Sequence, residues 1–213
     1  LAEDASLKFE GDRSGHCLVR CAIAHGASQM LMEVLNAATK GMSSKDILHF
    51  LLGPTPPSSR GAGEGGGKLA ALTTDDSPLC FEAIERDESV ALDTLLTFAK
   101  LRLINTTGST TMLNVVLGAR RKMYASDETK GTCSMFEAAM LLRSSNSKKK
   151  LEIVNVLLRH GVLLQYILKE PDTSRLYREF YLCASKPDVV RSVLRSLQQS
   201  SDEAFRVVRD LWL

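Results

Sequence analysis

Hydrophobic residues recur at spacings of three and four along nearly the whole chain. That is the pattern of amphipathic helices. It is clearest from Leu151 to Leu213, where LEIVNVLLRHGVLLQYILKE, TSRLYREFYLCAS, KPDVVRSVLRSLQQ and SDEAFRVVRDLWL follow one another with almost nothing between them. Each segment is too short to bury its apolar stripe alone, and no strand pattern intervenes. The helices are expected to stack in layers, as in solenoids. Such arrays bind macromolecules more often than they catalyse reactions, so the question becomes one of partners.

The same periodicity predicts a helix over 15–36, carried by Leu18, Ala22, Ile23, Met30, Leu31, Val34 and Leu35, with Gly26 as a kink or break. A second helix, SSKDILHFLLG, is expected to start on a Ser43 N-cap and stop at Gly53. SPLCFEAIERD places Leu79, Cys80, Ala83 and Ile84 on one side. In DESVALDTLLTFAKLRLI the apolar positions are Val90, Leu92, Leu95, Leu96, Ala99 and Leu103. TTMLNVVLGARRKMY and CSMFEAAMLLR read as further helices, and in the latter Ala138 is expected to be tightly packed beside Met135, Phe136 and Leu142. No alternating segment is long enough to predict a strand. The expected class is all-α, a single helical-repeat domain over 1–213 that forms the N-terminal part of a longer solenoid.

Between these helices, PTPPSSRGAGEGGGK at 54–68 is too rich in Pro, Ser and Gly to hold a packed structure, and it reads as a flexible, dispensable insertion. It is not a phosphate loop. Ala62 stands where the first glycine belongs, Leu69 follows Lys68 where Ser or Thr is required, and no strand precedes it.

The chain has 213 residues and a formal net charge of +2. That balance gives no general drive toward nucleic acid or membrane. The one basic run, Lys148-Lys149-Lys150, reads as a solvated helix start. No apolar stretch reaches the length of a membrane span, and no secretory leader is recognisable. Five cysteines, Cys17, Cys21, Cys80, Cys133 and Cys183, are odd in number and irregular in spacing. They read as buried free thiols in a reducing compartment, and the expected location is cytoplasmic.

Candidate chemistry is sparse. Cys17, Cys21 and His25 share a helix face at steps of four, with His16 adjacent. A zinc site would need a ligand from elsewhere, and no Cys-x-x-Cys occurs; packing against a neighbouring helix is the simpler reading. His160 precedes Gly161 at a helix end, where a cation complements the helix dipole. No nucleophile sits in a turn of the catalytic kind, and the acidic residues are spread rather than paired. No enzymatic activity, cofactor or metal is expected.

Two solenoid families come into view. DRSGHCLVRCAIAHGASQMLMEVL places Asp12, Gly15, Ala22 and Gly26 as an ankyrin repeat would, and LEIVNVLLRHG resembles an ankyrin second helix. Against this, the units do not recur at that family's fixed period, and Thr-Pro-Leu is matched only by Ser77-Pro78-Leu79.

The second resemblance covers more of the chain in order. KDILHFLLG is followed by LLTFAKLRLINTTGSTTMLNVVLGARRKMY, with its paired basic end at Arg120-Arg121. Next comes MLLRSSNSKKKLEIVNVLLRHGVLLQYIL, with Met140-Leu141-Leu142, Leu157-Leu158-Arg159-His160 and Ile167-Leu168. Last is LYREFYLCASKPDVVRSVLRSLQQSSDEAFRVVRDLWL, with Phe180, Tyr181, Ser201-Asp202, Ala204-Phe205 and Asp210-Leu211. This succession resembles the calcium-binding protein 39, or mouse protein 25, family of armadillo-type scaffolds. The 54–68 insertion and the N-terminal extension depart from it.

That resemblance implies a right-handed superhelix of armadillo/HEAT-like helical repeats. It also implies a non-catalytic scaffold that binds and activates a sterile-20-class protein kinase or pseudokinase. The family's aromatic-tail pocket lies in later repeats, so no pocket residue is carried over. No Asp-x-Asp-x-Asp-Gly loop is present, and no calcium site is expected.

By the same resemblance the third helix of each unit would line a concave groove, and ESVALDTLLTFAK, KLEIVNVLLRH and DEAFRVVRDLWL would be those helices. Their polar stripes are then the candidate protein-binding residues: Glu152, Asn155 and Arg159 on the second, Asp202, Arg206 and Arg209 on the third. The steps of three and four put each set on one stripe, and Arg suits interface centres. The alternative to the kinase scaffold is a degenerate ankyrin-repeat adaptor.

Overall fold

The structure is a computed structural model that describes residues 12–53, 78–104, 111–122, 132–141, 147–162, 186–201, 205–206 and 208–209. The 54–68 segment, Leu142, Cys183, Asp202 and Trp212 lie outside the described residues. What is described is mostly helical: α1 Asp12–Ala24, α2 Ser28–Ala38, α3 Ser44–Leu52, α4 Leu79–Glu85, α5 Ser89–Leu103, α6 Thr111–Leu117, α7 Met135–Leu141, α8 Ser147–Arg159 and α9 Pro187–Ser200.

The expected 15–36 helix is two helices. Gly26 adopts φ +64°, a left-handed conformation cheap only for glycine. The Ala27 N–H donates to Ala22 O at 2.9 Å and the Gly26 N–H to Ile23 O at 3.2 Å, closing α1 with a Schellman turn. α4 ends the same way. Glu88 N–H donates to Ala83 O and Asp87 N–H to Ile84 O, both at 3.0 Å. Asp87 takes φ +61° without being glycine, a conformation that Asp tolerates better than most residues.

Ser43 caps α3 as expected, in a full capping box. Its hydroxyl accepts from Asp46 N–H, and the Asp46 carboxylate accepts from Ser43 N–H. These hydrogen bonds hold the exposed Asp46 carboxyl below its usual range. Gly53 follows Leu52 at φ +90°. α7 starts on Ser134, whose hydroxyl accepts from the Glu137 N–H at 3.0 Å.

Helices pair and then layer. α1 packs on α2, α4 on α5 and α7 on α8. The first helices touch in succession, α1 to α4 and α4 to α7. The second helices do likewise, α2 to α5, α5 to α8 and α8 to α9. α3 and α6 pack on each other and on α5. α5 therefore meets neighbours on almost every side, and Ala91, Leu92, Leu95, Leu96, Phe98, Ala99 and Leu103 are all buried. One continuous core runs from Val19 in α1 through Val189, Val193 and Leu197 of α9 to Val208 beyond it.

The expectation of no strands is overturned. Arg120–Lys122 and Thr132–Ser134 form a short antiparallel pair, with Arg121 opposite Cys133. The helix read through GARRKMY stops at Leu117. Three residues are too few to display alternation, so periodicity could not reveal either strand. Tertiary contacts hold Arg121 in place: its guanidinium lies 5.5 Å from the Phe81 ring centroid and pairs with Glu85.

Several apolar residues on the predicted stripes are exposed. Leu18 is 44%, Met30 60% and Val90 59% exposed. Leu18 contrasts with the buried Leu79. α4 lies between α1 and α7, whereas among the described residues α1 has a first-layer neighbour on one side only. Ala138 is half-buried, and its neighbour Ala139 is the sealed position.

The cysteines divide in the same way. Cys80 and Cys133 are buried, but Cys17 and Cys21 are exposed, contrary to the packed reading. Burial pushes the Cys80 thiol up to about 12 and the Cys133 thiol also upward. The thiolate is the reactive form. Iodoacetamide under native conditions should therefore label Cys17 and Cys21 and spare Cys80 and Cys133 until the chain is unfolded. Peptide mass spectrometry reads this directly, and native labelling of Cys80 would contradict the core described here.

Candidate protein-interaction groove between α5 and α8

Leu151 to Arg159 follow the pattern of a helix with one sealed face. Ile153, Val154, Val156, Leu157 and Leu158 are buried, while Glu152, Asn155 and Arg159 are exposed. The polar stripe read from the sequence is therefore a real surface of α8. Opposite it stands the first half of α5, also with a partly open face: Ser89, Val90 and Asp93. Between them lies a groove of about 250 Å³ lined by Ser89, Val90, Asp93, Glu152, Asn155, Val156 and Arg159. That is below the roughly 300–1,000 Å³ of small-molecule pockets. It suits a side chain or a short run of peptide better than a cofactor.

The polar contacts of the groove are unevenly distributed. Asp93 is well compensated. His160 Nε2 lies 2.8 Å from its Oδ1, and Arg159 Nη2 lies 3.7 Å away. His160 is only 12% exposed, so this contact ties the end of α8 to α5 from within. Glu152 is different. Its contact in the groove is a long hydrogen bond from Ser89 Oγ at 3.4 Å, and the exposed Lys148 and Lys149 stand one turn before it on the same helix. Asn155 lines the same space. Val90 and Val156 supply the apolar lining.

The structure thus brings together three of the six candidate residues. Arg206 and Arg209 are exposed on the helical residues beyond α9 and do not line this groove. Asp202 is outside the described residues. α5 and α8 each pack on the short helix that precedes them, α4 and α7, as the second member of a pair rather than the third of a triplet.

Sequence reading missed Ser89, Val90, Asp93 and the His160 contact. The signal that could have found them is register. With the buried Leu95-Leu96 set against Leu157-Leu158, Val90 matches Glu152 and Asp93 matches Asn155. Equivalent positions of adjacent stacked helices face the same groove.

Away from the groove, Glu82 on α4 accepts from Arg20 of α1 and, at 2.9 Å, from Arg86 Nε. Arg20 Nε also reaches His16 Nδ1 at 3.2 Å. This cluster joins two successive first helices and is structural in character. No group of three or more metal-ligating side chains occurs among the described residues. No described helix is long and apolar enough to cross a membrane. No protein-family model, curated protein or solved structure matches this chain.

Proposed function

We propose that this chain is a non-catalytic protein-interaction adaptor built from stacked helix pairs, ankyrin-like in organisation, with the α5/α8 groove as a docking surface. The supporting observation is an internal equivalence between two units. Superposing Gly26 on Asp87 in sequence aligns Leu18 with Leu79, Ala22 with Ala83 and Ile23 with Ile84. It also aligns Ser28 with Ser89, Leu31 with Leu92 and Leu35 with Leu96. Both central residues have positive φ and close the same Schellman turn.

A unit that buries its stripe only against its neighbours, repeated with the same turn, is how a helical array is built. The 61-residue offset, from 26 to 87, is not the ankyrin period. Local features still favour that organisation. Pro78-Leu79 opens the short helix α4, and an antiparallel strand pair runs directly into α7.

A second reading has its own support. α3 and α6 add a third helix to the first two units and pack on each other, which suits an armadillo-type superhelix. In that case the partner implied by the family resemblance is a sterile-20-class kinase or pseudokinase in the cytoplasm.

Affinity capture with the wild-type chain and with a Glu152→Arg/Arg159→Glu variant tests the adaptor reading. Both residues are exposed, so the variant should keep its circular dichroism spectrum. At least one captured protein should be lost or weakened about tenfold, the effect of reversing charges that complement a partner's surface. An identical partner set on both baits would sink the groove assignment. Addition of the chain to a purified sterile-20-class kinase separates the second reading, which requires a rise in kinase activity.

A further inference from the structure

Where α7 ends and α8 and α9 begin, two lysines meet at one carbonyl. The last carbonyls of a helix have no partner within it. Lys150, in the first turn of α8, donates from Nζ to Met140 O at 3.5 Å. Lys186, the residue immediately before α9, donates to the same oxygen at 3.2 Å. Two ammonium groups are thereby held close together, and each stands at the positive end of a helix dipole. Lys186 makes the shorter contact and Lys150 the longer one. Lys150 is half-buried, whereas its neighbours Lys148 and Lys149 are exposed. Partial burial first, and the Lys186 charge second, push the Lys150 ammonium below the usual lysine range, against a smaller upward pull from Asp87 just beyond α4.

We propose that Lys150 is a site of covalent acylation, with an acyl thioester as donor and Lys186 as the group that assists the transfer. The neutral amine is the nucleophile, and a lysine beside a second cationic group reaches that form more readily. The Lys150 amine attacks the thioester carbonyl carbon. The C–N bond forms, the C–S bond breaks, and the proton released by nitrogen leaves with sulfur as the thiol. The Lys186 ammonium, a donor at the same place, hydrogen-bonds the oxygen on which negative charge develops. A short acyl group suits a half-buried site. The product is a neutral amide. Its remaining N–H still serves the Met140 carbonyl, and the repulsion between two like charges is gone. Of the three consecutive lysines at the start of α8, the fold thus singles out the least exposed one.

Acetyl-coenzyme A, incubated with the full chain over a range of pH and followed by mass spectrometry of the 144–159 peptide, tests this. That peptide carries all three lysines, so Lys148 and Lys149 serve as internal references. At about pH 7 Lys150 should be acetylated at least about threefold faster than either. The advantage should shrink as the pH approaches the ordinary lysine value of about 10.4, where all three amines become neutral and exposure decides. Asp87→Asn removes the opposing charge and should quicken Lys150, and Asn tolerates the positive φ at that position. Lys186→Met should slow Lys150 to the rate of its neighbours, while Lys186→Arg, which keeps the charge, should preserve most of the rate. Circular dichroism checks the fold of each variant, and should Lys186→Met fail to fold, Asp87→Asn decides alone. Acetylation of Lys150 no faster than that of Lys148 and Lys149 at about pH 7, a preference that does not change with pH, or a Lys150 rate indifferent to these charge-removing variants would each overturn the proposal.

Discussion

Ala139→Asp is expected to leave no cooperatively folded protein. Ala139 is completely buried on α7, a helix of seven residues packed between α4 and α8. Its neighbours Met135, Phe136 and Met140 are buried as well. An ionised carboxylate there costs several kcal/mol even after relaxation, or must stay protonated and unpaired at about 1–3 kcal/mol or more, and it also overpacks a position fitted to a methyl group. Against a typical total stability of about 5–15 kcal/mol, either outcome removes much of the margin.

Far-UV circular dichroism and a thermal melt decide the matter. Ala138→Asp is the matched control, one residue away and half-buried, and it should melt within reach of wild type. A sigmoidal melt of Ala139→Asp within a few degrees of wild type would mean that α7 is not where it is described. The sequence points to Ala138 instead. The two adjacent alanines follow Glu137, which is itself buried, so the polar residue beside them does not mark the wet face and the choice between them belongs to the packing.

Phe98→Ala should cost about 3–5 kcal/mol, the range for removing a buried aromatic ring. Phe98 is 1% exposed on α5, the helix on which α2, α3, α4, α6 and α8 converge. No single neighbour can move in to fill the space without disturbing another contact. The Arg102 guanidinium, 5.8 Å from the ring centroid, would lose its partner too, a smaller term at a site open to water. Urea unfolding should show a lower midpoint with an unchanged slope. A shift under about 1 kcal/mol, well below the usual loss for a buried ring, would show that α5 is peripheral and would undo the layered arrangement.

These two positions mark the boundary of what periodicity can see. It predicts that α5 is helical and apolar. It does not predict that five helices converge on α5 and leave open only the face that carries Val90 and Leu101, because the set of neighbours is a property of the stack. The same holds at α1. Leu18, Cys17 and Cys21 sit on a helix whose stripe looks ready for a neighbour, yet all three are exposed. Similar local patterns at Leu18 and Leu79 end in opposite environments.

The groove shows the division again. Glu152, Asn155 and Arg159 are legible as one stripe, since steps of three and four on a helix are enough. That the stripe faces α5 is not legible. Asp93 and His160 are 67 residues apart and meet at 2.8 Å, and no local rule connects them.

By itself the sequence determined the local events: where α3 begins on Ser43, that Gly26 interrupts the first helical stretch, which faces of α8 are oily and which are wet, and that helices dominate. Each depends on a few adjacent residues and their backbone preferences. Only the tertiary structure decided the rest: the layering of first and second helices, the short strand pair at Arg121 and Cys133, the sealed place of Ala139, and the meeting of α5 with α8. Those depend on contacts between residues far apart in the chain, whose energies come from burial and shape that no single segment contains.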